Sequence, residues 1–291
     1  AVWSEFSELG IKYGAVSLGQ GSPFANPPQF VVDALVQAIK DGHNQYIRTF
    51  GHPLFCETIA KIYGPKLGRD LNPMTDILVG LGANGVLHSF FMGLSDPGDE
   101  AVLIEPTFPM YLDHLKMANV TVKTVPLEYS KEENTFKLNF ELFKKAFSAK
   151  TKYFIFNNPN NPSGKCFTKE EIQQISDILD TDFPHVIILS DEVYDFLTFD
   201  SRVHYHMATF NNNWNKTVTV FSGGKIFNAT GWKVGWAVGP AQLIKLGGII
   251  SNTTYFSVNA PQQVAFANSL GTAHQPGYQT PSNDQGLSYI Q

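Results

Sequence analysis

Lys225 and Lys233 stand eight positions apart in Phe-Ser-Gly-Gly-Lys-Ile-Phe-Asn-Ala-Thr-Gly-Trp-Lys-Val-Gly, residues 221–235. Glycine carries no side chain, so backbone there can approach a bulky ligand closely. A lysine held in such a crowded, partly dry place loses proton affinity and becomes a usable amine nucleophile. Amine nucleophiles in enzymes form Schiff bases, with a carbonyl substrate or with pyridoxal phosphate (PLP). Taken alone the segment leaves two readings open, because Gly-Gly-Lys also occurs in ordinary turns with a solvated lysine.

Three further segments fall in loops directly after predicted strands, where open α/β sheets place their ligands. Gly80-Leu-Gly-Ala-Asn-Gly85 lies between a strand and a helix, and backbone amides at such a helix start can cradle a phosphate. A tight strand-to-helix turn would use the same glycines. Asn157-Asn-Pro-Asn-Asn-Pro-Ser-Gly164 offers rigid amide donors and acceptors, although turn chemistry alone also favours that composition. Ser190-Asp-Glu-Val-Tyr194 closes another strand, and an acidic residue there is costly unless paired or exposed. Asp191 could hold a protonated pyridine nitrogen, the partner PLP enzymes use to strengthen the ring as an electron sink.

The scaffold that must position these groups alternates apolar strand-sized runs with helical spacing. Strands are expected at 76–81, 100–104, 120–125, 152–157, 186–189, 217–221 and 233–238. Helices are expected at 84–94 and 111–118, and from Thr168, where Thr-Lys-Glu-Glu forms an N-cap with a capping-box glutamate at Glu171. Apolar strands separated by helices indicate a parallel or mixed sheet covered on both faces. Residues 31–270 form the large domain in this reading. Residues 1–30, with Gly-Gln-Gly-Ser-Pro and Asn-Pro-Pro, read as an extended arm. Residues 271–291 are polar, rich in Gly, Pro and Gln, and are expected to be poorly ordered.

Composition narrows the function classes. In 291 residues the hydrophobic fraction is 43% and the aromatic fraction 13%, ample for a packed core. A net charge of -5 without a basic run argues against nucleic acid as a partner. The longest apolar stretches are far too short to span a bilayer, and the first ten residues lack a signal-peptide core. Two cysteines, Cys56 and Cys166, are too few for a disulfide scaffold or a cysteine zinc site and point to a reducing compartment. The eight histidines show no HExxH spacing. His204 and His206 read as loop residues rather than ligands, and no metal is expected.

Six motifs in order resemble the fold type I PLP-dependent aminotransferases of class I/II, most of all the kynurenine aminotransferases (glutamine transaminase K, cysteine-S-conjugate β-lyase). They are Leu-Gly-Gln-Gly-Ser-Pro (18–23), Asn-Gln-Tyr-Ile-Arg-Thr-Phe-Gly-His-Pro (44–53), Ile-Glu-Pro-Thr-Phe (104–108), Asn-Asn-Pro-Asn-Asn-Pro-Ser-Gly-Lys (157–165), Ser-Asp-Glu-Val-Tyr (190–194) and the lysine segment. The resemblance runs from about Trp3 to Leu270 and implies a three-layer α/β sandwich with a mostly parallel sheet. It implies that Lys225 forms the Schiff base with PLP and shuttles the substrate proton. Asp191 would pair with the pyridine nitrogen, Asn161 and Tyr194 would contact the ring's 3-oxygen, and Phe108 would stack on the ring. The phosphate would take the Gly82, Ala83 and Asn84 amides, Ser222 and Lys233, with Tyr46 reaching in from a second subunit of a homodimer. Trp3 and Gly21 match substrate-side positions, and Asn157 matches one that orients cofactor and substrate. The implied reaction moves an amino group from an aromatic or sulfur-containing amino acid, or glutamine, to a 2-oxo acid. The implied compartment is the cytoplasm, with the mitochondrion as the other candidate.

The family pattern continues into a C-terminal small domain carrying an arginine that grips the substrate carboxylate through paired hydrogen bonds. Here the likeness stops near Leu270, and none of Arg48, Arg69 and Arg202, the chain's three arginines, matches the place of that carboxylate-binding arginine. The small domain is therefore read as missing or truncated. The alternative reading is a non-catalytic PLP-binding or dimer-modulating protein, and weak PLP binding with poor transamination is expected of such a chain.

Overall fold

The computed structural model describes residues 2–16, 19, 21 and 25–273. In chain order its elements begin with helices α1 (Val2–Tyr13), α2 (Gln29–Lys40) and α3 (Pro53–Lys66). Strand β1 (Ile77–Leu81), α4 (Gly82–Leu94), β2 (Glu100–Glu105), α5 (Met110–Met117), β3 (Thr121–Ser130) and β4 (Thr135–Leu138) follow. Next come α6 (Phe140–Ala146), β5 (Thr151–Asn157), α7 (Lys169–Thr181), β6 (Ile187–Asp191), β7 (Thr217–Ser222) and the short α8 (Gly223–Ile226). Strand β8 (Val234–Val238), α9 (Ala241–Thr254) and α10 (Ala260–Ala273) complete the described chain.

The strands form one sheet in the order β1-β8-β7-β6-β5-β2-β3-β4. Its centre is parallel, from β3 through β2, β5 and β6 to β7. β8 runs antiparallel to both β1 and β7, and β4 antiparallel to β3. Because β8 is antiparallel to both neighbours, β1 points the same way as β7. The carboxyl ends of β1, β2, β5, β6 and β7 therefore share one side of the sheet.

The central strands are apolar throughout because both their faces are covered. Alternation along β5 shows how: Tyr153 and Ile155 join one core, while Phe154 and Phe156 join another on the opposite face. β8 does the same, sending Ala237 to one side and Val234, Trp236 and Val238 to the other. Helix α4 packs against α9 on one face, and α10 against α2 and α3 on the other. The result is the expected three-layer α/β arrangement. The capping box is present: the Thr168 hydroxyl accepts from the Glu171 amide, and Glu171 accepts from the Thr168 amide.

Three expectations need correction. Residues 2–13 are helical rather than extended, in keeping with the spacing of Val2, Phe6, Leu9 and Tyr13, which the Gly- and Pro-rich stretch after them had masked. Helix α10 runs on through Gly271–Ala273 and buries Ala273, so the polar tail begins later than residue 271. Residues 274–291 lie outside the described residues. Lys233 precedes β8 instead of opening it, and its φ of 56° places it in the left-handed region.

Candidate active site

The loops leaving the carboxyl ends of those five strands enclose a cavity of about 790 Å³. From β1 come Gly82, Ala83 and Asn84, the first turn of α4; from β2 come Thr107, Phe108 and Pro109. Asn157, Asn160 and Asn161 arrive from β5, Asp191, Val193 and Tyr194 from β6, and Ser222, Gly224 and Lys225 from β7. Tyr111, Lys233, Gly19 and Gly21 also line the wall.

Lys225 owes its place to Gly223 and Gly224. A Cβ at Gly223 would lie 2.7 Å from the Phe266 ring, and one at Gly224 would lie 2.9 Å from the Ala229 carbonyl. The Lys225 Nζ donates to the Gly21 carbonyl at 3.2 Å and sits 5.5 Å from the centre of the Tyr194 ring. Burial lowers its proton affinity, with the nearby Lys233 charge acting the same way and Asp191 opposing.

Asp191 closes β6 and is almost wholly buried. Its Oδ2 accepts from the Tyr111 hydroxyl at 2.5 Å, and its Oδ1 accepts from the Val193 amide at 3.3 Å. Burial pushes its pKa up to about 6 against those hydrogen bonds. Asn157 links the neighbouring strand ends: its amide donates to the Asp191 carbonyl at 3.0 Å, and its oxygen accepts from the Asn161 backbone at 2.7 Å. Tyr194 is hydrogen-bonded to Asn161, while burial and Asp191 raise the pKa of its hydroxyl.

The opening turn of α4 has no side-chain cap, and the first amides of any helix lack partners within it. Gly82 has φ 66°, and a Cβ there would lie 3.5 Å from the Lys233 Nζ. A Cβ on Gly235 would come within 2.3 Å of the Ala83 nitrogen, so β8 and the start of α4 meet backbone to backbone. Free amides beside an ammonium group make a place for an anion. Asn84 in this turn is held from α5, with His114 Nε2 2.9 Å from its Oδ1 and His88 Nδ1 3.2 Å from His114 Nδ1.

Twelve residues singled out in the sequence thus border one cavity: Gly21, Gly82, Ala83, Asn84, Phe108, Asn157, Asn161, Asp191, Tyr194, Ser222, Lys225 and Lys233. Tyr46 does not; it is 86% exposed and packs edge-on against Phe256. The Trp3 side chain lies outside the described residues. Among the described residues no arginine lines the cavity. Arg48 donates to the Met74 carbonyl at 2.8 Å, and Arg69 lies over the Trp214 ring. Sequence reasoning missed Tyr111 and His114, which looked like ordinary core positions of a helix. His204 and His206, read from the sequence as loop residues, do sit in a loop, with their side chains buried against Glu192. The spacing of Tyr111 three positions after Phe108 was the available signal for the first of these.

Ligand loops at the carboxyl ends of a mostly parallel sheet, with an amine and a buried carboxylate lining one cavity there, fit a transferase of the aminotransferase type. The chain belongs to the class I and II aminotransferase family, which it matches over residues 14–283. It is similar to kynurenine--oxoglutarate transaminase of Dictyostelium discoideum, with 42% identity over 93% of this chain and 65% of that one. Kynurenine--oxoglutarate transaminase 1 of Homo sapiens is 34% identical over 92% of this chain and 65% of its own length. Among solved structures, N-succinyldiaminopimelate aminotransferase of Mycobacterium tuberculosis superposes with a TM-score of 0.88 at 35% identity, covering 93% of this chain and 70% of that one. The chain therefore spans 65% of the length of these two curated relatives.

Proposed function

We propose that the cavity binds PLP and that the protein is an aminotransferase, moving an amino group from kynurenine, a similar aromatic or sulfur-containing amino acid, or glutamine to a 2-oxo acid. The observation that carries this reading is Lys225, an amine of lowered basicity, sharing one cavity with the buried carboxylate of Asp191. The uncapped start of α4 beside Lys233 supports a phosphate there. The names of the similar proteins support the substrate class. PLP supplies an aldehyde that accepts the amino group and a pyridine ring that spreads charge left at Cα.

This chain's residues do the rest. Lys225 Nζ attaches the cofactor and, when free, carries the proton that leaves the substrate Cα. Asp191 pairs with the protonated ring nitrogen. Asn161 and Tyr194 bind the 3-oxygen, Phe108 covers one ring face, and Asn157 orients cofactor and substrate. Ser222, Lys233 and the Gly82–Asn84 amides hold the phosphate, while Gly21 borders the part of the cavity left for the substrate, the role the resemblance also gives to Trp3. The exposed Tyr46 serves the phosphate of a second subunit, which makes the working form a homodimer. Free, buried Cys56 and Cys166 support a reducing compartment such as the cytoplasm. No helix among the described residues is long and apolar enough to cross a membrane.

Borohydride reduction of the PLP-treated protein followed by peptide mapping tests the assignment. The pyridoxyl label is expected on Lys225; a label on Lys233 overturns it. Turnover of kynurenine and of glutamine with a 2-oxo acid then tests the reaction.

A further inference from the structure

Helix α5 presents one face to the cavity's wall, and two of its residues reach groups that the proposed chemistry uses. Tyr111 contacts Asp191, and His114, one turn later, contacts Asn84. The Tyr111 contact is the closer and the more consequential. Among the described residues two donors reach the Asp191 carboxylate, the Val193 N–H at 3.3 Å and the Tyr111 hydroxyl at 2.5 Å. Short bonds to a charged acceptor are roughly twice as strong as neutral ones.

We propose that Tyr111 is a positioning residue of this site, its hydroxyl holding the buried Asp191 carboxylate in place beside the cavity. The proposal rests on the reading of Asp191 as the partner of the cofactor's ring nitrogen. The groups acting electrostatically on Asp191 from the packed elements are few. Burial disfavours its charge, and Glu192, its chain neighbour, adds to that; Tyr111 from α5, the Val193 amide and Lys225 from the end of β7 favour it. Tyr194 also faces Asp191.

Lys225 cannot serve as the constant partner, because its amine is the group lent to the cofactor. Tyr111 can. Burial and the neighbouring Asp191 hold its hydroxyl in the protonated form well above the ordinary range, so it remains a donor at every working pH. Its ring is fixed edge-on against Phe108, 5.5 Å between centres, and against Phe91 at 6.4 Å. Phe108 is the ring proposed to cover the cofactor. One side chain thereby ties the carboxylate to the stacking surface, and the spacing between the two becomes a property of Tyr111.

The variant Tyr111→Phe keeps the ring and removes only the donor. Carbon-13 NMR of the cofactor-free protein, labelled at aspartate side chains and assigned with Asp191→Asn, reads the carboxyl directly. The Asp191 midpoint is expected to move up by about one pH unit or more, a tenfold change in proton affinity. In the PLP-treated protein, the acid limb of cofactor affinity, followed by absorbance, is expected to move the same way. Phe91→Leu, which loosens the ring's packing, is expected to lower thermal stability and leave the midpoint in place. Should Tyr111→Phe fail to fold, fluorotyrosine placed at position 111 is a stronger donor and is expected to move the midpoint down. An Asp191 midpoint that ignores both substitutions overturns the proposal. Failure of the parent protein to bind PLP would instead overturn the cofactor reading, and the carboxyl titration would still decide the role of Tyr111.

Discussion

Asp191 and Glu192 are consecutive carboxylates at the end of β6, both buried, and their surroundings drive them in opposite directions. Asp191 lines the cavity with two hydrogen-bond donors among the described residues, one of them long, and burial leaves its pKa up at about 6. Glu192 faces away from the cavity and accepts four hydrogen bonds. Ser190 Oγ and the Met207 amide reach Oε1 at 2.6 and 3.2 Å, and His204 Nε2 and His206 Nδ1 reach Oε2 at 2.9 and 2.5 Å. Burial opposes its charge too, but His206 and His204 outweigh it and hold the carboxyl far below the usual range. A saturated buried charge anchors a fold. One left short of partners has capacity for a ligand, which is how perturbed carboxylates mark sites of chemistry.

The contrast breaks most sharply at Glu192. Replacing it by Gln leaves His206 and His204 facing a neutral amide, and removing one partner of a buried ion pair costs about 3–5 kcal/mol. Glu192→Gln is expected to unfold at markedly lower denaturant concentration; an unchanged midpoint would show that the cluster does not anchor β6.

Asp191→Asn should behave in the opposite way. Its half-transamination rate is expected to fall by roughly two or more orders of magnitude, as when other preorganised electrostatic groups are removed. The cofactor-free protein is expected to become more stable near pH 7.5. An aspartate raised from 3.8 to about 6 on folding opposes the fold by roughly 3 kcal/mol once ionised. Stopped-flow rates and thermal melts of the same sample read both effects, and a variant that loses stability along with rate would erase the distinction.

The pH dependence of stability sharpens it further. Glu192 has a depressed folded pKa, so its contribution is present above about pH 4.5 and is lost as pH falls toward the folded value. Burial opposes the His206 charge, yet Glu192 raises its pKa; that contribution is full below about 6.5 and fades as pH rises through the raised value. Asp191 acts in reverse, disfavouring the fold progressively as pH rises from about 3.8 to about 6. Melts of the cofactor-free protein across this range should show Asp191→Asn flattening the decline between pH 4 and 6, while His206→Gln flattens the alkaline one. Identical profiles for the parent and both variants would refute the assignment.

The smallest effect is expected at the surface. Tyr46 has neither the burial of Asp191 nor the partners of Glu192, and its proposed use lies across a subunit boundary. Mixing impaired Tyr46→Phe with inactive Lys225→Ala protein should raise the activity above that of either alone once subunits exchange. No recovery after verified exchange would confine each site to one chain.

The sequence by itself determined the central strands, because runs buried on both faces must be apolar: β5, β6 and β7 were legible within a residue or two. It also determined the Thr168 capping box, a device four residues long, and the placement of Lys225 and Asp191 just where strands end. Helices α9 and α10 escaped notice since their apolar residues face other helices without a clean stripe, and Gly247 and Gly248 sit inside α9. Strand β8 was legible as an apolar run, but its antiparallel place between β1 and β7 was not, for strand direction is a matter of pairing rather than composition. Only the tertiary structure decided what each carboxylate of β6 would do. The hydroxyl that reaches Asp191 comes from 80 residues away, and the histidines that reach Glu192 come from a loop 12 and 14 residues on. Hydrogen bonds act over about 3 Å. Whether those partners fall within reach depends on how the layers pack, and the burial that displaces each pKa exists only once they have.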